Sequence, residues 1–285
     1  MNTCLLDRIL DDPKALSVRF QPIFQLGSGD NQVDSLEGLI RGPSGTNFER
    51  ADILFDYVRR KRAEKVMDRT CIMAIFRAAA ELPSDVRISL NVHASTLGQN
   101  TDFVEFFRDQ AGQLSLPLDR FTLEIVEHSP IYNVPGLACS LSALRDLGVR
   151  IALDDVGLGN SNYQMILDCH PDFFKLDIFF VEGVSHDADR QAVVKSIICL
   201  AEEMKGMVVA EGACSREDVS TLRRMGIKLF QANLLCPPLP LQDLLARGLL
   251  SVQTAAGVSR RSKAAVFESA RRRLLLAATT PPICQ

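Results

Sequence analysis

Eight short apolar runs recur along the chain, most separated by longer amphipathic stretches, and this alternation constrains the fold more than any other feature. The runs are VRFQPIF (Val18–Phe24), SLEGLI (Ser35–Ile40), RISLNV (Arg87–Val92), FTLEIV (Phe121–Val126), RIALDD (Arg150–Asp155), FFKLD (Phe173–Asp177), MVVAEG (Met207–Gly212) and KLFQAN (Lys228–Asn233). They are short and rich in β-branched and aromatic residues, as strands buried on both faces are. Ala63–Leu82, Val104–Leu114, Pro135–Leu147 and Ala188–Met204 carry apolar residues at three- and four-residue spacing, the pattern of a helix with one buried face. Gly148 and Gly226 close helical stretches where a left-handed cap is expected. Repeated βα units make a parallel sheet, and eight strands predict an α/β TIM-like (β/α)8 barrel. Gly27–Asp34 is too short for a crossover helix, so the first strand should pair antiparallel with the second.

The same reading divides the 285 residues into an N-terminal segment (1–16), a barrel (17–248) and a C-terminal helical tail (249–285). In the tail, Ser262–Ala278 reads as a basic helix with Val266, Ala270, Leu274 and Ala277 on one face, able to pack on the barrel or meet a protein partner.

Composition narrows the function. A net charge of −3 and the absence of Trp argue against DNA or RNA as a partner. No apolar run reaches the roughly 18 residues of a membrane span. The eight cysteines form no CxxC pair or zinc spacing, which suits free thiols in a reducing cytosol and predicts a cytoplasmic location.

The chemistry gathers at strand ends. Glu37, Asn91, Glu124, Asp154, Asp155, Lys175, Glu211 and Gln231 lie within or at the ends of seven successive strand-like runs. A single acid after a strand is usually a helix cap or a surface ion pair. In a barrel, however, strand C-termini converge on one mouth. Several carboxylates there need a compensating cation. Oxygen donors without His or Cys favour Mg²⁺ or Mn²⁺, and the adjacent Asp154 and Asp155 suit two metals that clamp a phosphodiester.

These stretches resemble the EAL-domain phosphodiesterases of cyclic di-GMP: QPIF (Gln21–Phe24), LEGLIRG (Leu36–Gly42), SLNVHASTL (Ser89–Leu97), LEIVE (Leu123–Glu127), LDDVGLGNSN (Leu153–Asn162), FFKLD, AEGACS (Ala210–Ser215) and FQANLLCPPLP (Phe230–Pro240). The resemblance spans Ser17 to Leu245. It implies hydrolysis of cyclic di-GMP to linear pGpG with a two-metal Mg²⁺ or Mn²⁺ site. Glu37, Asn91, Glu124 and Asp154 match metal ligands, with Asp155 on a second ion. Lys175 matches the lysine that contacts the attacking water, and Glu211 a glutamate acting through metal-bound water or as general base. Gln231 matches a glutamine of the same water network, Arg41 a phosphate contact, Gln21 a guanine contact, and Glu127 an anchor for the loop after the fifth strand.

The chain departs from the family in three places. Gly38 stands where Ala is usual, Ala232 stands where Gly is usual, and the loop that usually reads DDFGTGYSS is DDVGLGNSN. An alanine at 232 would be strained if positive φ were needed there. The alternative reading is a non-catalytic receptor for the nucleotide or for a protein. His93 and His128 lie near the expected mouth without a metal-ligand spacing. The apolar residues Val193, Val194, Ile197, Ile198, Leu200 and Ala201 are too many for one helix face, and a homodimer is therefore expected.

Overall fold

The computed structural model describes residues 5–27, 31–99, 102–126, 133–158 and 163–250. Eight strands close into a barrel in chain order: β1 (Ser17–Gln25), β2 (Gln32–Arg41), β3 (Arg87–His93), β4 (Phe121–Val126), β5 (Arg150–Leu153), β6 (Phe173–Leu176), β7 (Met207–Glu211) and β8 (Leu229–Gln231). β1 runs antiparallel to both β2 and β8, and every other pairing is parallel. All eight expected runs are strands, and the short β1–β2 connection produces the expected reversal.

The helices are α1 (Leu5–Asp11), α2 (Ala51–Arg60), α3 (Glu64–Ala79), α4 (Ala94–Gln99), α5 (Phe103–Gln113), α6 (Val134–Asp146), α7 (Tyr163–Cys169), α8 (Ile178–Val181), α9 (Ala188–Glu203), α10 (Arg216–Arg224) and α11 (Leu241–Ala246). The four periodic stretches of the sequence appear as α3, α5, α6 and α9. Gly148 and Gly226 have φ of +86° and +110°, as their capping role requires. Leu6 and Ile9 of α1 are buried in the main core, so this first helix is docked on the barrel. The tail helix expected at 262–278 lies outside the described residues.

Alternation along the strands sorts side chains into an outer and an inner core. Outward residues such as Leu36, Ile88, Leu90, Leu123, Ile151, Phe174 and Phe230 are buried beneath the helices. A small interior cavity is lined from every strand, its floor formed by Ile23, Ser35, Ser89, Thr122, Ala152, Phe173, Val209 and Leu229, with Asp34, Glu124 and Lys175 also on its wall. Two positions further toward the mouth on each chain stand Gln21, Glu37, Asn91, Glu124, Asp154, Lys175, Glu211 and Gln231. β1 runs the opposite way, so its mouth-side residue precedes Ile23 instead of following it. The period of two therefore lifts eight polar side chains into one ring above a largely apolar and hydroxyl-bearing floor.

Candidate active site

Strand register sets the ring's spacing. Gln21 pairs with Glu37, Asn91 with Glu124, and Glu211 with Gln231 across their ladders. At the centre is the Lys175 ammonium, with a side chain only 3% exposed. Its Nζ lies 3.2 Å from Glu37 Oε2, 2.7 Å from Glu211 Oε1 and 3.5 Å from Asp154 Oδ1, and it donates to Glu124 Oε2. Asn91 Nδ2 donates to Glu37 Oε1 at 2.8 Å, and Gln231 Nε2 donates to the other oxygen of Glu37 and to Gln21 Oε1. Gln21 Nε2 in turn donates to Asn233 Oδ1 and the Cys236 carbonyl, both at 3.2 Å.

Residues spread over more than two hundred positions thus form one connected network, as the strand-end pattern predicts. Asp155 sits just outside it, in a left-handed conformation with φ +50°. Arg41 is not hydrogen-bonded to the ring; its guanidinium donates to the Ile40 carbonyl and borders a cavity that also touches Glu37, Asn91 and Asp154. Glu127 and His128 lie outside the described residues. Ala232 is buried and is not among the residues with positive φ, so the alanine at that position is unstrained. At Gly38, an added Cβ would lie 3.1 Å from the Ile75 side chain, so α3 packs into the space a methyl would take.

The electrostatics are unbalanced. Four carboxylates face one ammonium. Burial would lower the lysine, but Asp154, Glu124, Glu211 and Glu37 together hold its pKa well above the ordinary value. Burial pushes Glu37 up, yet Lys175 and the amides of Gln231 and Asn91 outweigh it and leave Glu37 below the usual range. Glu124 has no such surplus of donors, and burial together with Glu37 pushes it up to about 8. Burial likewise drives Glu211 well up. Asp155 is raised to about 6 by partial desolvation and by the charges of Asp154 and Asp177.

These shifts mark a shortage of positive charge. Asp154 Oδ1 and Glu211 Oε1 are buried oxygens that face only the shared Lys175 ammonium, and Gln231 Oε1 is buried without a hydrogen-bond donor. Buried oxygens that share one ammonium, in a set of hard donors, fit a divalent cation. Among the described residues no three His, Cys, Asp or Glu side chains already stand at the spacing of a metal cage; the carboxylates close on Lys175 instead.

Two cavities adjoin the ring. One of about 450 Å³ lies between β2, β3 and helices α2 and α3, with Arg41, Phe55, Arg59 and His93 in its wall. The other, of about 520 Å³, lies between β1, β7 and β8 beside Gln21, Glu211, Gln231 and Asn233. Each is the size of a small-ligand pocket.

A sequence model described as the EAL domain matches residues 6–238. The chain belongs to the EAL domain family. The cyclic di-GMP phosphodiesterase NbdA of Pseudomonas aeruginosa is 29% identical to it over 238 residues, covering 80% of this chain and 30% of the relative. The cyclic di-GMP phosphodiesterase PdeB of Shewanella oneidensis is 29% identical over 231 residues, covering 79% of this chain and 27% of the relative. This EAL domain therefore spans about a third of the length of the curated relatives it matches. The calcium and cyclic di-GMP complex of Klebsiella pneumoniae BlrP1 superposes with a TM-score of 0.70 at 27% identity, covering 80% of this chain and 57% of that one. A manganese and cyclic di-GMP complex of BlrP1 gives the same TM-score at 26% identity, covering 79% of this chain and 56% of that one.

The sequence did not expose every member of the site. Asn233 and Asp177, which hold Gln21 and raise Asp155, were not singled out. Asp68 was missed as well. It lies inside a helix with no motif around it and meets His93 only after folding.

Proposed function

We propose that this EAL domain is a metal-dependent phosphodiesterase that opens cyclic di-GMP to linear pGpG. The carrying observation is the ring itself: eight strands each bring one polar side chain to a common mouth, and the resulting four carboxylates outnumber the one ammonium among them. Glu37, Asn91, Glu124 and Asp154 would hold one Mg²⁺ or Mn²⁺, with Asp154 shared with a second ion on Asp155. When bound, the ions make water acidic at neutral pH and offset phosphate charge.

The chain's own groups supply the rest. Lys175 orients the attacking water from the centre of the ring. Glu211, 2.7 Å from that ammonium, receives the water's proton. The water oxygen bonds to phosphorus, the bond from phosphorus to the 3′ oxygen breaks, and the proton taken up by Glu211 is returned through solvent to the 3′ oxygen, which leaves as a hydroxyl. Arg41 borders the phosphate path, and Gln21 and Gln231 hold the opposite side. A ligand with two nucleotide halves suits two cavities that meet at this ring. The reading also includes a homodimer formed by the exposed apolar residues of α7, α8 and α9. Incubation with cyclic di-GMP and Mn²⁺, followed by nucleotide chromatography, tests the activity. Stoichiometric pGpG supports it, whereas tight binding without product makes the chain a receptor.

A further inference from the structure

Three carboxamides lead from the ring into the cavity beside β1, β7 and β8, and acceptor-only groups fix which way each one faces. The Glu37 carboxylate can only accept, so Gln231 turns Nε2 toward it; the same Nε2 donates to Gln21 Oε1 at 3.2 Å. Gln21 therefore points its own Nε2 the other way. Both hydrogens are engaged there, by the Cys236 carbonyl and by Asn233 Oδ1, each at 3.2 Å. A backbone carbonyl also only accepts, so this end of the line cannot reverse either. Asn233 commits Oδ1 to Gln21, and its Nδ2 meets no acceptor among the described residues. Gln21 and Gln231 are buried, whereas Asn233 is exposed and lines the 520 Å³ cavity.

Among the described residues no Lys or Arg lines this cavity, and Ile178, Ala213, Ala232 and Leu234 give it an apolar wall. A phosphate has no cation to meet there, but a flat, uncharged base has a wall to lie on and a donor at its edge. An asparagine ordinarily reads adenine by donating to N7 and accepting from the N6 amine. Asn233 has turned its acceptor away. It offers donors alone, which match the N7 and O6 acceptors of guanine and oppose the N6 amine of adenine. We infer that Asn233 is a base-reading residue of this cavity and selects guanine over adenine in the nucleotide half lodged there. The inference rests on the cyclic di-GMP reading above. Gln21, with both amide hydrogens engaged within the chain, acts here as a positioning residue for Asn233.

The test measures the calorimetric Kd for cyclic di-GMP and for cyclic di-AMP in the full chain, in Asn233→Asp and in Asn233→Ala. Ca²⁺ replaces Mn²⁺ to hold back turnover, and thermal melts establish folding. Asn233→Asp keeps an oxygen toward Gln21 and exchanges only the donor for an acceptor. The wild-type chain should bind cyclic di-GMP at least about tenfold more tightly than cyclic di-AMP. In Asn233→Asp that ratio should fall about tenfold, because one hydrogen bond is lost and two acceptors face each other. Asn233→Ala should lower it about two- to tenfold, the worth of the hydrogen bond alone, and carries the comparison should Asn233→Asp fail to fold. A carboxylate that merely repels phosphate weakens both nucleotides alike, so an unchanged ratio in a folded variant overturns the inference. So does a wild-type chain that binds the two nucleotides equally. A wild-type chain that binds no cyclic di-GMP overturns the inference together with the reading beneath it. Discrimination that Asn233→Asp abolishes, in a chain that forms no pGpG with Mn²⁺, supports the inference and overturns only the hydrolysis.

Discussion

Lys175 shows how much one residue depends on its surroundings. In sequence it is a lone charge inside FFKL, an apolar run that burial would normally deny to lysine. In the fold, four carboxylates converge on it, and their attraction outweighs its desolvation. Lys175→Ala should therefore lower kcat by roughly 10²–10⁴-fold, the loss of a group that positions the attacking water for proton transfer, with Kd for cyclic di-GMP changed less than about threefold. Steady-state kinetics beside calorimetry separates the two, and a variant that lost affinity while keeping its rate would refute the assigned role. Most ring residues were legible because they lie within or just after short apolar strands, where chemistry shows against an apolar background; Gln21, inside β1, was legible only through the family resemblance. Asp68 was not legible. A polar residue within α3 reads as a solvent-facing position, and only tertiary contact with His93 and Thr96 reveals its burial.

At the level of elements, the strands were the clearest feature of the sequence and the polar helices the least clear. α10, REDVSTLRR, has few apolar residues, and its position depends on capping. The Ser215 side chain caps the helix by accepting from the Asp218 N–H at 3.0 Å. The Asp218 carboxylate accepts from the Ser215 hydroxyl and from the backbone N–H groups of Gly183 and Ser185 at 3.2 and 2.9 Å, tying α10 to the turn before α9. Burial would raise Asp218, but these donors outweigh it and hold its pKa below the ordinary 3.8. A depressed carboxylate contributes stability above its unfolded pKa and loses it as pH falls through the folded value. Asp218→Asn should thus cost about 1–3 kcal/mol at pH 7, and the gap from wild type should narrow as pH falls below 3.8. Urea unfolding across that range measures it; a gap independent of pH would mean that the charge is not what Asp218 contributes. The loop after β5 was legible only in part. Val156 is buried against the core and its N–H donates to the Lys175 carbonyl, which couples loop to ring without the aromatic usual in relatives.

For the whole molecule, the barrel's outer surface bears on assembly. Val194, Ile197 and Ala201 of α9 face the core, but Val193 remains exposed, as do Tyr163 and Leu167 of α7 and Phe179 of α8. Exposed apolar side chains favour self-association where they meet in one patch. Light scattering should give about twice the 31.5 kDa chain mass, and Val193→Asp should move the equilibrium toward monomer. A single chain mass at every concentration would remove the dimer from the account. The central claim concerns the ring and its shortage of positive charge. Oxygen donors alone favour Mg²⁺ or Mn²⁺, and Ca²⁺, with its looser coordination, should bind without supporting comparable turnover. The most direct measurement is therefore the conversion of cyclic di-GMP by the purified chain with Mn²⁺, with Ca²⁺, and with excess chelator. Product that forms with Mn²⁺, nearly vanishes with Ca²⁺ and ceases in chelator is the predicted result; full conversion in chelator would contradict it.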